Sequence, residues 1–215
     1  MSDQIPVLTV WSNNYKVLYD RMENTLPKSF KLLSKKIDII DDGYGFGKKS
    51  FYQAIEKKIL YIVEYLRSEK EGKVVLASDS DIFFTRDTDE LYKIGLDMCK
   101  TCSMVFMREG RQSQVNGGFY FIRNSKEIQD FLKKAADSVI GNIRHSGGDA
   151  DQLFFNEELP RAPFKWAYFP PSKMIWGWEL VHAQEALFHH AVCCGTVSEK
   201  IAQQNIIADS LKITL

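Results

Sequence analysis

The stretch Lys73-Val74-Val75-Leu76-Ala77-Ser78-Asp79-Ser80-Asp81-Ile82-Phe83-Phe84 constrains this chain more than any other. Its small and aliphatic opening suits an inner parallel strand covered on both faces. Two acids one residue apart then stand where that strand should end, and a second apolar run follows. In open α/β sheets, ligands bind outside the carboxyl ends of the strands. Residues i and i+2 of an extended backbone point the same way, so Asp79 and Asp81 can converge across Ser80. Two convergent carboxylates form a hard oxygen site for Mn²⁺ or Mg²⁺, ions that commonly also take phosphate oxygens from a substrate. Without its flanks, Asp-x-Asp is only a solvated turn. Apolar runs on both sides favour the site.

The rest of the chain repeats strand, polar turn and helix, the pattern of an α/β sheet. Residues 6–11 read as a strand, and Ser12-Asn13-Asn14 as the turn after it. A helix is expected over 15–26, closed by Pro27. Residues 30–33 form a short strand or turn, and 37–40 a second strand ending at Asp41-Asp42-Gly43. The basic, glycine-rich loop 43–49 lacks Walker spacing; it is either a solvated loop or one that touches phosphate. A helix over 50–66 carries Lys58 on a mainly apolar face. That lysine either snorkels or points its ammonium at a diphosphate.

Further helices are expected over 87–99 and 125–140, with a strand over 103–107. Residues 115–122 read as a turn and an apolar strand. There Asn116, Gly117 and Gly118 allow positive φ and close approach of backbone to a ligand, or simply a hairpin turn. Gly147 to Gln152 opens another helix, in which Asp149 and Asp151 are caps or catalytic carboxylates. His189 and His190 sit in an apolar run, as core residues or as ligands. Trp166, Tyr168, Phe169, Trp176 and Trp178 suit core packing better than sugar stacking.

With 215 residues, 45% of them hydrophobic, the chain can bury a large core. Its 28 basic and 28 acidic residues balance, which argues against a general nucleic-acid partner. No apolar run has the length of a membrane span. The first residues lack the basic and apolar regions of a signal peptide, so the cytoplasm is the expected compartment. Cys99 and Cys102 are spaced as Cys-x-x-Cys, and Cys193 and Cys194 are adjacent. A vicinal pair is poor zinc spacing, so reduced and mostly buried thiols are expected.

In this order the features resemble a GT-A glycosyltransferase, the nucleotide-sugar-dependent class with an Asp-x-Asp metal motif. Asn116-Gly117-Gly118-Phe119-Tyr120-Phe121 is similar to the family's Asn-x-Gly strand beside the sugar site. Asp151-Gln152 with Asn156 resembles its acidic helix start. His189-His190 stands where these enzymes often place a late histidine as a third metal ligand, though the usual His-Phe-x-Gly setting is replaced by His189-His190-Ala191. The resemblance covers residues 6–195.

It implies a single domain over 1–215, with a mixed, mostly parallel central sheet flanked by helices. The implied donor is a nucleoside diphosphate sugar, by family frequency UDP-linked, and the acceptor a hydroxyl of a glycan or glycoprotein. The implied metal is Mn²⁺ or Mg²⁺, held by Asp79, Asp81 and His189 or His190. Thr9, Val10, Trp11 and Asn13 would border the nucleotide, and Asp41 or Asp42 would meet its base or ribose. Lys58, Ser80, Asn116 and Gly117 would complete the donor site. Asp151, with Asp149 second, would be the general base if the reaction inverts. The chain also resembles the N-terminal glycosyltransferase domain of a multidomain capsid-glycan protein of large algal viruses. That implies a longer viral protein in a host cytoplasm. Two other classes compete: a haloacid-dehalogenase-type phosphatase, against which Phe83 and the late position of the motif count, and a non-catalytic nucleotide-sugar binding module.

Overall fold

The computed structural model describes residues 4–39, 48–110, 112–142 and 150–215. Strand β1 (Ile5–Trp11) leads through a short 3-10 turn into helix α1 (Lys16–Thr25) and strand β2 (Phe30–Lys36). Helix α2 (Lys49–Ser68) precedes β3 (Val74–Ser78) and, beyond the two acids, β4 (Ile82–Phe84). Then come α3 (Glu90–Cys99), β5 (Met104–Arg108), β6 (Val115–Arg123) and α4 (Lys126–Asn142). The last part holds α5 (Ala150–Glu158), β7 (Trp166–Tyr168), β8 (Met174–Trp176), β9 (Phe188–His190) and α6 (Val197–Leu211).

The six-stranded sheet has the order β2-β1-β3-β6-β5-β7, and β6 alone runs against the other five. The expected mixed, mostly parallel sheet is therefore present. A second sheet, β4-β9-β8, packs beside it.

Alternation along the strands sorts the core into two layers. Val75 and Ala77 of β3 and Tyr120 and Ile122 of β6 join Ile59, Ile62 and Leu66 of α2, with Phe131 of α4 and Phe155 of α5. Leu76, Phe119 and Phe121 point the other way, to Met22 of α1, Leu91 of α3, and Phe84 and Phe188 of the second sheet. Full burial of such side chains stabilises by roughly 1.5–3 kcal/mol each, so this pattern fixes both the register and the sandwich. Helix α6 closes the second sheet, with Ile207 and Ala208 against Phe83 and Ile175. A capping box between Thr196 and Glu199 starts that helix at a defined point.

Two expectations fail locally. The second strand is Phe30–Lys36, paired with β1 in register from Ile5 and Phe30 to Trp11 and Lys36; residues 37–39 are not a strand. The edge strand carries lysines outward, a normal protection of an exposed sheet edge, and this hid its pattern. Asn116-Gly117-Gly118 is not a turn but the start of β6, and neither glycine has positive φ. The turn lies earlier, where Gly110 has φ +50°. Asp41, Asp42, Asp149 and most of the glycine-rich loop lie outside the described residues.

Candidate active site

Strands β1 and β3 end at the same edge of the sheet. Because β6 is antiparallel, its first residues arrive there too: Ser78 pairs with Phe119, and the Asp79 N–H donates to the Gly118 carbonyl at 2.7 Å. A cavity of about 450 Å³ opens at this edge, the position where ligands bind in α/β sheets. Val10 and Trp11 form one wall, and Asp79, Asp81 and His190 another.

Asp79, Asp81 and His190 each present one ligand atom within 4.8 Å of the others. His190 Nε2 lies 3.2 Å from Asp81 Oδ1 and 3.8 Å from Asp79 Oδ2. His190 reaches this point because β9 pairs with β4 directly after the acids, Ile82 opposite His190. Neighbouring residues on a strand point to opposite faces, so His189 turns away. Its Nε2 meets the Gly177 carbonyl at 3.0 Å and its ring packs on Phe83. Burial, the main cause, pushes the His189 imidazole down to about 3, and it is a neutral core residue.

Two lysines flank the acids. Lys58, only 2% exposed, extends from α2 to Asp79 Oδ1 at 2.8 Å, to the Gly117 carbonyl at 2.9 Å and to Asp151 Oδ2 at 3.3 Å. Burial works against its charge, but Asp151 and then Asp79 outweigh it, and the ammonium is held above its ordinary range. Lys200, on α6, donates to Asp81 Oδ2 at 2.5 Å and to the Ala191 carbonyl at 2.6 Å. Burial would raise the Asp81 carboxyl. Lys200 and then His190 reverse this and hold Asp81 far below the usual carboxylate range. The adjacent Gln204 ties down the Asp81 carbonyl at 2.9 Å.

Asp151 opens α5 and is 5% exposed. Burial raises its carboxyl above the ordinary range, against the opposing pull of Lys58. Its place depends on two features of the neighbouring chain. Asn156, one turn on, clamps α5 to β6 through both the N–H and the carbonyl of Val115. Gly117 leaves the room: a Cβ there would stand 2.7 Å from Asp151 Oδ1. At Gly118 a Cβ would stand 2.3 Å from His190 Cε1 and 2.8 Å from Asp79 Oδ2. These glycines serve close approach of side chains across β6, not backbone conformation. Asn116 is fixed at both ends, donating to Glu109 at 2.5 Å and accepting from the Gly118 N–H at 2.8 Å.

The donor set suits a divalent ion. Two carboxylate oxygens and an imidazole nitrogen face one point, and the buried Asp81 Oδ1 has the His190 Nε2, 3.2 Å away, as its polar neighbour. A buried, ionised carboxylate oxygen facing an imidazole and a second carboxylate is a ready place for a cation. Hard oxygen donors with one imidazole fit Mn²⁺ or Mg²⁺.

A family model described as nucleotide-diphospho-sugar transferase matches residues 16–204. The chain belongs to that family. Among solved structures it is similar to a glycosyltransferase involved in the glycosylation of the major capsid of PBCV-1, with TM-score 0.69, 13% identity, and 94% of this chain and 99% of that one covered. It is also similar to the glycosyltransferase GlyE of Streptococcus pneumoniae TIGR4, with TM-score 0.60 and 12% identity. That match covers 99% of this chain and 65% of GlyE; the apo form of GlyE gives TM-score 0.62 at 13% identity. At these identities the likeness speaks for the fold, here the GT-A arrangement. No curated protein sequence matches the chain. Among the described residues no helix is long and apolar enough to cross a membrane.

Of the residues singled out in this glycosyltransferase from sequence, Val10, Trp11, Lys58, Asp79, Ser80, Asp81, Asn116, Gly117, Asp151 and His190 line the cavity. Thr9 is fully buried and Asn13 exposed, and neither lines it; Ser12 and Tyr15 stand there instead. Sequence reasoning missed Lys200, Glu109 and the segment Cys193-Cys194-Gly195-Thr196, all on the cavity wall. Of the four thiols only Cys99 is buried: Cys193 is exposed and Cys194 half-buried at that wall, and Cys102 is half-buried away from it. Lys200 carried one usable signal. It follows the Thr196-to-Glu199 capping box, which places it in the first turn of a helix entering the site.

Proposed function

We propose that this glycosyltransferase moves a sugar from a UDP-sugar to a hydroxyl of a glycan or glycoprotein, with a divalent ion held by Asp79, Asp81 and His190. The observation that supports the reading is their convergence at the cavity edge, with Asp79 Oδ2, Asp81 Oδ1 and His190 Nε2 turned towards one another. When bound, the ion supplies positive charge against the diphosphate that leaves the anomeric carbon. Trp11, stacked on Tyr19 at 4.9 Å, gives the nucleotide wall a fixed aromatic surface. Lys58 keeps Asp79 and Asp151 a fixed distance apart. For an inverting reaction the acceptor hydroxyl must lose its proton to a carboxylate. Asp151 fits that role: burial makes it more basic, and it stands on the wall beside the cluster. A retaining reaction does not need a base at that place.

Calorimetry of UDP binding, with and without Mn²⁺, on the native chain and on Asp81→Asn tests the reading. Metal-dependent binding that the substitution abolishes is expected. Equal binding with and without Mn²⁺ would overturn the metal assignment and favour a plain nucleotide-binding module.

A further inference from the structure

Each acid of the cluster has one oxygen covered by an ammonium group and one turned towards His190. Lys58 covers Asp79 Oδ1 and Lys200 covers Asp81 Oδ2, while Asp79 Oδ2 and Asp81 Oδ1 face the imidazole. With Asp151, three carboxylates are set against two lysines in one small volume. A dication drawn to the inner oxygens therefore meets little uncompensated negative charge, and the two ammonium groups lie only a carboxylate's width behind those oxygens.

Lys200 is built into this place. Besides Asp81 it holds the Ala191 carbonyl, and its helix is anchored on both sides by Gln203 to the Val192 carbonyl and Gln204 to the Asp81 carbonyl. It has no freedom to swing out when a dication approaches without breaking two short hydrogen bonds. A single and a double positive charge about 5 Å apart repel enough to shift an equilibrium about tenfold, even at the dielectric of water.

We propose that Lys200 makes metal binding conditional on the diphosphate. Its ammonium cancels enough of the cluster's charge that a divalent ion binds weakly alone and tightly only together with a nucleoside diphosphate, whose negative charge offsets the lysine. Lys200 is thus a positioning residue that couples the two ligands. The inference rests on the reading of Asp79, Asp81 and His190 as metal ligands. Coupling is reciprocal, so Mn²⁺ strengthens UDP binding by the same factor as UDP strengthens Mn²⁺ binding.

The test measures Mn²⁺ affinity by electron paramagnetic resonance and calorimetry, with and without saturating UDP. It uses the native chain, Lys200→Met, Lys200→Gln and Lys200→Arg, each checked for a native melting transition. Both neutral variants are expected to bind Mn²⁺ alone about tenfold more tightly than the native chain, and to show a correspondingly smaller gain from UDP. Lys200→Arg keeps the charge and should stay within about threefold of the native chain. Unchanged or weaker Mn²⁺ binding in the folded neutral variants would overturn the proposal. If neither neutral variant folds, the native chain decides: Mn²⁺ binding equally tight with and without UDP sinks it. Mn²⁺–UDP binding that survives Asp81→Asn would remove the metal reading itself, a failure distinct from an intact metal site indifferent to Lys200.

Discussion

On strand β9 two neighbouring histidines of equal burial have opposite surroundings. His189 is 0% exposed and His190 3%, so exposure does not separate them. His189 lies among Phe83 and the Gly177 carbonyl. His190 lies between two carboxylates whose other oxygens are held by lysines. One face of the strand belongs to the hydrophobic core and the other to the cavity. The difference teaches that the site here is defined by which charged partners the fold brings to a buried position, not by how open that position is.

The sharpest way to break this contrast is on the cavity face. His190→Ala should lower Mn²⁺-dependent UDP affinity by more than the roughly 10- to 100-fold that losing an outer partner of a metal site costs, in a variant that still melts cooperatively. Calorimetry and a thermal melt read both quantities. Gly118→Ala should do comparable damage without replacing a proposed ligand, because its Cβ would stand 2.3 Å from His190 Cε1 and displace that ring. Full metal-dependent binding in that variant would show that the strand and ring have more room than their spacing implies.

Next in size is the base. If the reaction inverts, Asp151→Asn should cut turnover about 10²- to 10⁴-fold while leaving UDP affinity within a few-fold. Glu109→Gln is the companion, since Glu109 is the other cavity carboxylate outside the cluster among the described residues. A larger loss from Glu109→Gln in steady-state kinetics would move the base to that residue.

The smallest effect is expected on the core face. His189→Leu removes the contact to the Gly177 carbonyl and should cost about 1–3 kcal/mol of stability in urea denaturation. The folded protein should keep its UDP and Mn²⁺ affinities within about twofold. Loss of metal binding there would mean that the two faces of β9 are not independent.

Much of the fold was legible in advance. Val74–Ser78 and β6 are short continuous apolar runs and α2 is a long amphipathic one, and local pattern of this kind is what sets element type. Strand β2 was legible only as a short strand or turn over 30–33, because its outward lysines interrupt the apolar pattern, while the pairing that makes it a full strand is supplied by β1, 25 residues away at Ile5 and Phe30. The glycines of β6 were recognised as special for the wrong reason. Their smallness is needed by Asp151 and His190, which come from α5 and β9.

By itself the sequence determined the α/β class, the acids at the end of an inner strand, and a lysine on an apolar helix face, since all three follow from neighbours along the chain. Only the tertiary structure decided which histidine meets the acids, that Lys58 bridges Asp79 to Asp151, and that Lys200 covers Asp81. Those pairings join residues 21 to 119 positions apart. Their partners are chosen by strand direction and register, and by where a helix docks, which no local pattern encodes.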